Sequence, residues 1–251
     1  MRRYATIACF AAAVVATAPA AARAAEQQRP PLQARLVSCT TGPTASARIA
    51  AFTASMPALA GTARMWVRFD LLQRMPGETE FARVALPAWG RWERSQIGRA
   101  GFIYTKRVRA LRAPGAYRAR VRFRWYDARG RVQRRAERLT KTCRQPDPRP
   151  DLRAGPLTVA PGPGPSSATY QLVVRNAGRG AAGPFDVVLS AGGMPQPPVR
   201  VDGLAAGASR VVDVPGPLCD AGSTLRFVLD AGAAVAESDE ADDVVDRACP
   251  V

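Results

Sequence analysis

Apolar and polar residues alternate along several stretches of this chain, and a two-residue period predicts β-strands rather than helices. Met65, Val67, Phe69 and Leu71 share one face of such a strand. The longest alternation runs from Tyr117 to Trp125, with Tyr117, Ala119, Val121, Phe123 and Trp125 inward and Arg118, Arg120, Arg122 and Arg124 outward. Asp127-Ala128-Arg129-Gly130 supplies a turn, and a polar strand through Val132 and Leu139 leads to Cys143. Leu111-Arg112-Ala113-Pro114-Gly115-Ala116-Tyr117 reads as the corner entering a late strand of an immunoglobulin-like sandwich, with Tyr117 placed to bond back to the preceding loop.

The second half repeats the pattern. Tyr170-Gln171-Leu172-Val173-Val174 is a strand closed by Asn176-Ala177-Gly178. Phe185 to Leu189, Val199 to Val201, Arg210 to Val214 and Leu225 to Leu229 follow, separated by glycine- and proline-rich turns. Strands at about ten-residue spacing with no amphipathic helix between them predict an all-β chain of two immunoglobulin-like β-sandwich domains in tandem. Gln145-Pro146-Asp147-Pro148-Arg149-Pro150 predicts a stiff linker. The expected domains are therefore residues 25–144 and 151–251, with 145–150 between them.

Charge divides the chain at the same place. Residues 25–150 hold 26 Lys and Arg against 8 Asp and Glu, whereas residues 151–251 hold 7 against 12. The formal charge of +16 thus describes neither half. No histidine occurs, which excludes Ser-His-Asp and Cys-His nucleophile pairs, an imidazole base and His-ligated zinc or haem.

The N-terminus has the form of a secretory signal. Met1-Arg2-Arg3 precedes an apolar run from Tyr4 to Ala18 and then Ala22-Arg23-Ala24, predicting a signal peptide over residues 1–24. The run is too short to be a permanent span, and no later stretch is long and apolar enough to cross a membrane. Secretion, or association with the cell envelope, is the expected location. Cys9 lies within the apolar run, leaving Cys39, Cys143, Cys219 and Cys249. An even number in an exported chain predicts disulfides, and among three pairings the organisation favours Cys39–Cys143 and Cys219–Cys249.

Three features bear on chemistry. In the outward row Arg118, Arg120, Arg122 and Arg124, same-face neighbours about 6.8 Å apart repel by roughly 0.6 kcal/mol even in water. Forked guanidinium donors suit phosphate, sulfate or carboxylate polymers. A GC-rich genome would equally fill solvated positions with arginine, and the chain has 34 Arg to 2 Lys. Trp89-Gly90-Arg91-Trp92 offers Trp89 and Trp92 as a sugar-stacking pair, against the commoner use of tryptophan over a sandwich core. Glu237, Asp239, Glu240, Asp242, Asp243 and Asp246 offer oxygen ligands for calcium, but without EF-hand spacing.

Residues 151–249 resemble the CARDB family, the cell-adhesion-related domain found in bacteria. The resemblance rests on Pro150-Asp151-Leu152, on Val174-Arg175-Asn176-Ala177-Gly178 and on Leu204-Ala205-Ala206-Gly207-Ala208-Ser209. It rests also on the ending Asp230…Val235-Ala236-Glu237-Ser238-Asp239-Glu240-Ala241-Asp242-Asp243, where aspartates stand in the family's final asparagine positions. It implies an immunoglobulin-like extracellular module acting in adhesion or binding, with no catalytic residues, and explains the acidic run as a turn motif. No family is assigned to residues 25–150 from the sequence. The function expected is that of an exported, non-enzymatic adhesion or interaction protein, whose arginine-rich half contacts an anionic envelope polymer or an exported protein. No cofactor, no metal and no intracellular nucleic acid are expected. A structural spacer without a dedicated ligand is the alternative, and a carboxylate-based glycoside hydrolase a remote one.

Overall fold

The computed structural model describes residues 29–250; the expected signal peptide lies outside them. Strands are numbered in chain order. The first half contributes β1 (Gln33–Thr40), β2 (Ile49–Pro57), β3 (Arg64–Arg74), β4 (Ala82–Arg83), β5 (Trp92–Arg94), β6 (Gly101–Arg109), β7 (Gly115–Tyr126), β8 (Val132–Leu139) and β9 (Cys143–Gln145). One antiparallel sheet runs β1-β2-β6, and the other runs β4-β3-β7-β8, with β5 also on β3 and β9 also on β7. Phe52, Met56, Met65, Val67, Phe69, Val121, Phe123 and Trp125 fill the space between the two sheets.

On β7 the alternation has its expected effect. Tyr117, Ala119, Val121, Phe123 and Trp125 are buried, and the arginines between them are half-buried on the opposite face. The Trp125 indole donates to the Pro57 carbonyl at 2.7 Å, so this large ring is buried without an orphaned N–H. At the corner before β7, the Tyr117 hydroxyl donates to the Arg112 carbonyl at 2.8 Å, the bond expected from the sequence.

The second half contributes β10 (Leu152–Pro161), β11 (Ser167–Asn176), β12 (Phe185–Ala191), β13 (Met194–Pro195), β14 (Val199–Val201), β15 (Ser209–Pro217), β16 (Thr224–Leu229) and β17 (Val244–Ala248). One sheet is ordered β10-β11-β15; the other is β13-β12-β16-β17, with β14 on β12. A separate core of Leu152, Tyr170, Leu172, Val174, Phe185, Val187, Leu189, Val214, Phe227 and Leu229 lies between them. All five strands read from this half of the sequence lie inside observed strands. β10, β13 and β17 are additions.

Both expected disulfides are formed. Cys39–Cys143 joins β1 of one sheet to β9 of the other with Cα atoms 5.5 Å apart, and Cys219–Cys249 spans 6.1 Å. In the chain-entropy account each stabilises its half by about 2–4 kcal/mol. The stretch expected as a linker is bonded at both ends. Gln145 belongs to β9, is buried, and donates to the Thr40 carbonyl at 3.1 Å. Pro150 is buried, and its carbonyl accepts from Ser238 N at 2.8 Å.

Asn176 explains the closing Asn176-Ala177-Gly178. Its side chain is fully buried and completely used, accepting from Asp151 N and Gly178 N and donating to the Gly180 and Leu204 carbonyls. Gly178 runs so close to the Pro150–Asp151 backbone that a Cβ would lie 2.5 Å from it.

Candidate functional site

The side chains that β3, β5, β7 and β8 turn away from the core form rows across the sheet. Strand register places Arg94, Trp66, Arg124 and Arg135 in one row, and Trp92, Arg68, Arg122 and Glu137 in the next. Beyond these, Asp70 stands opposite Arg120, and Leu72 opposite Arg118. Asp70 and Glu137 are the only carboxylates in these rows.

Asp70 is only 3% exposed and gathers guanidinium groups around it. Its oxygens lie 3.1 Å from Arg68 Nη2, 3.2 Å from Arg83 Nε and 3.5 Å from Arg122 Nη1. Glu137 accepts from Arg122 Nε at 2.9 Å. It also stands 3.4 Å from Arg120 Nε, without the alignment of a hydrogen bond. Arg118 and Arg124 have no carboxylate partner among the described residues and lie on aromatic rings instead. Arg118 sits 4.0 Å from the Phe81 centroid and Arg124 4.3 Å from that of Trp92, while Arg94 covers Trp66 at 4.4 Å. Trp66 in turn packs on Tyr126 with centroids 4.7 Å apart.

The expected solvent-facing row is thus a half-buried layer in which two arginines are paired and two are stacked. The pairing acids belong to β3 and β8 of the same half. A shallow cleft of about 360 Å³ opens on this face, lined by Trp92, Arg122, Arg124, Arg135, Ala136 and Glu137. It brings together Trp92, Arg122 and Arg124 from the sequence reading and adds Arg135. Arg124 and Arg135 are directly opposed across β7 and β8, and neither has a carboxylate in ion-pair reach among the described residues. A like-charged opposed pair is unfavourable by itself. A bound anion would relieve it, and a planar guanidinium fork is suited to phosphate, sulfate or carboxylate.

Trp89 does not join this cleft. Its ring meets Phe52 at 6.2 Å and Phe69 at 6.3 Å, edge on, against the core. Between the two tryptophans Gly90 turns the chain at φ +74°, a backbone conformation that L side chains rarely adopt. Trp89 therefore faces the core and Trp92 the outer surface. They form no common sugar platform.

The acidic run lies between β16 and β17. Glu237 is buried, with one oxygen accepting from Leu152 N. Burial pushes its carboxyl up to about 7, helped by the charges of Asp243, Glu240 and Asp230 and opposed by that amide. Burial likewise pushes Asp243 up to about 6, with Glu240, Asp242 and Asp230 adding to it. Asp246 belongs elsewhere: it pairs with Arg226 across β16 and β17 at 2.8 Å.

Each half is a disulfide-closed β-sandwich, and the outer face of the first presents an arginine and aromatic cleft. Residues 149–247 match the CARDB family, in agreement with the resemblance read from the sequence. No curated protein matches the chain. Among solved structures, one described as a chaperone–tip adhesin complex vital for CFA/I fimbriae biogenesis aligns over 86% of this chain and 98% of its own, at 12% identity and a TM-score of 0.27. The CsuC–CsuE chaperone–tip subunit complex of Acinetobacter baumannii aligns over 84% and 96%, at 10% identity and a TM-score of 0.26. Chicken CNTN1 FN1–FN3 domains align over 85% and 64%, at 13% identity and a TM-score of 0.22. Overlaps this loose assign neither partner nor activity to this chain.

Proposed function

We propose that the protein is an exported, non-enzymatic interaction protein, and that the outer face of β3, β5, β7 and β8 binds an anionic polymer of the cell envelope. The observation that carries this reading is the opposed Arg124–Arg135 pair beside Trp92, in a cleft whose one carboxylate, Glu137, is engaged by Arg122 and Arg120. The two guanidinium groups at the cleft supply donors that no protein acceptor uses among the described residues. Trp92 supplies an apolar ring beside them. Phosphate, sulfate or uronate groups spaced along a chain fit such a surface, which recognises charge and flat rings rather than one enclosed molecule. The CARDB match in the second half supports a setting in adhesion or assembly, and two disulfides support an oxidising compartment.

The test is retention on immobilised polygalacturonate, with neutral dextran as the control matrix. Wild-type protein is expected to be retained at low salt on the charged matrix alone. Arg124→Gln combined with Arg135→Gln is expected to weaken retention at least tenfold, because both unpaired donors are removed. A spacer without a ligand would show no difference between the matrices, and that result would end the reading.

A further inference from the structure

The loop between β16 and β17 holds carboxylates that polymer binding leaves unused. One oxygen from each of Glu237, Glu240 and Asp243 lies within 4.8 Å of the others. Crowded acids alone do not make a site, because short turns use carboxylates to satisfy backbone amides. Part of this set is spent in that way. Glu237 accepts from Leu152 N through Oε2. Glu240 Oε1 accepts from Glu237 N at 2.8 Å, and Asp239 Oδ1 from Ala241 N at 3.0 Å. Asp230 uses both oxygens on Ala234 N and Val235 N.

What remains has no such use. Glu237 is 1% exposed, yet its Oε1 meets no protein N–H or hydroxyl donor, and the same is true of Asp243 Oδ1 and Asp242 Oδ1. The Glu237 and Asp243 carboxyls lie within hydrogen-bond reach of each other, an arrangement that calls for a proton or a cation between them. Buried carboxylate oxygens are rarely left without a donor or a cation, because their hydration is lost. Two basic groups border the loop, and neither forms an ion pair with Glu237, Glu240 or Asp243 among the described residues. Arg153 Nε pairs with Asp151 at 2.9 Å and Asp242 at 3.1 Å, and Arg149 pairs with Asp147 at 2.8 Å. Asp230 and Asp242 add negative charge around the three.

We infer that Glu237, Glu240 and Asp243 hold a calcium-sized divalent cation, which ties the β16–β17 loop to the start of β10. Donor chemistry selects the class of metal. All three ligands are hard carboxylate oxygens, the chain has no histidine, and Cys39, Cys143, Cys219 and Cys249 are consumed in disulfides. The three oxygens lie within 4.8 Å of one another, close enough to share one ion. Calcium accepts several carboxylates in flexible geometry, whereas magnesium keeps most of its waters and takes one or two, so a loop that gathers three suits calcium. Glu240 is exposed, giving the ion an entry and leaving positions for water. The ligands also connect different parts of the fold. Glu237 holds the Leu152 amide at the head of β10, and the Asp243 carbonyl accepts from Leu229 N at the end of β16.

Calcium titration of the purified protein after chelator treatment tests this, by calorimetry and thermal unfolding at about pH 7.5. One site is expected, with a Kd of about 0.1–1 mM, the range of extracellular modules. About 5 mM CaCl2 is expected to raise a Tm by about 4–10 °C, and MgCl2 by less. Glu240→Gln and Asp243→Asn are close in shape to the native side chains, and the amide oxygen of the Glu240→Gln variant can still accept from Glu237 N. Each is expected to lose at least tenfold in calcium affinity. Glu240 is exposed, so its variant remains informative if Asp243→Asn fails to fold. Absence of both heat and Tm shift in wild type at about 10 mM CaCl2, well above the Kd expected of such a site, overturns the inference. An undiminished response in Glu240→Gln does the same, since the ion would then bind elsewhere.

Discussion

Arg124 on β7 and Arg135 on β8 are directly opposed in the register of an antiparallel pair. Arg124 is held over the Trp92 ring at 4.3 Å. In the next row Arg122 faces Glu137 and is paired with it at 2.9 Å. Two neighbouring rows of one sheet thus differ in whether charge is answered within the protein, and the unanswered row borders the cleft.

Arg135→Glu would convert that row into a second Arg–Glu pair. Opposed charges on neighbouring strands contribute roughly 0.2–1 kcal/mol, and opposed like charges are unfavourable by a similar amount. The variant is expected to be more stable to urea by about 0.5–1 kcal/mol while losing polyanion binding. A gain in stability with binding intact would mean that the cleft is not the binding surface.

Asp70 carries the opposite kind of dependence. It is buried beneath Arg68, Arg83 and Arg122, so Asp70→Asn leaves three guanidinium groups facing one another around a neutral amide. Removing one partner of a fully buried pair costs about 3–5 kcal/mol, and because the three arginines are partly exposed a loss of about 2–4 kcal/mol is expected here. Urea denaturation of the variant is expected to show that loss. A change below about 0.5 kcal/mol, the range of ordinary surface substitutions, would show that Asp70 organises nothing.

Tyr117→Phe removes the hydroxyl that donates to the Arg112 carbonyl at 2.8 Å. A cost of about 1–2 kcal/mol is expected, from the lost bond and the carbonyl left without its partner. Tyr170→Phe should behave alike in the second half, where the hydroxyl donates to the Pro217 carbonyl at 2.6 Å. Far-UV circular dichroism of both variants should match wild type at room temperature, because the packing of the rings is retained.

The features legible in the sequence are those written in one strand. The β7 alternation, the Tyr117 corner and both disulfides follow from local pattern and from the division of the chain into two strand sets. Strands whose pattern is interrupted are harder to see. β6 carries buried Lys106 at an inward position, where it pairs with Glu93 at 2.8 Å. β10 contains Gly155, and a shift of register between Ala154 and Leu157 breaks its period. The arginine row is visible in the sequence, but its partners are not, because Trp66, Arg68, Glu137 and Arg135 reach it only through strand register. Trp89 and Trp92 mislead for a local reason: Gly90 turns the chain between them, so spacing alone does not define a shared face.

The acidic loop makes stability depend on pH. In chelator, folded Glu237 titrates near 7 and Asp243 near 6, each above its ordinary value of 4.5 and 3.8. The native chain therefore keeps protons that the unfolded chain has released, and stability falls as pH rises through that window. Glu237 contributes fully below about pH 4.5 and loses its contribution by about pH 7; Asp243 does so from about pH 3.8 to 6. Glu237→Gln should flatten the fall when urea midpoints are compared from about pH 4.5 to 8. A wild-type profile that rises over this range would contradict the assignment, since Arg153 would then be neutralising the loop.

The most direct test of polymer binding is the affinity of the purified protein for polygalacturonate as a function of salt. Exposed charges are screened over about 10 Å at 0.1 M salt and about 30 Å at 0.01 M. Wild-type affinity is expected to fall steeply between those concentrations, and the Arg124→Gln/Arg135→Gln protein to bind more weakly with a shallower dependence. Equal affinity and equal slope for the two proteins would contradict the account.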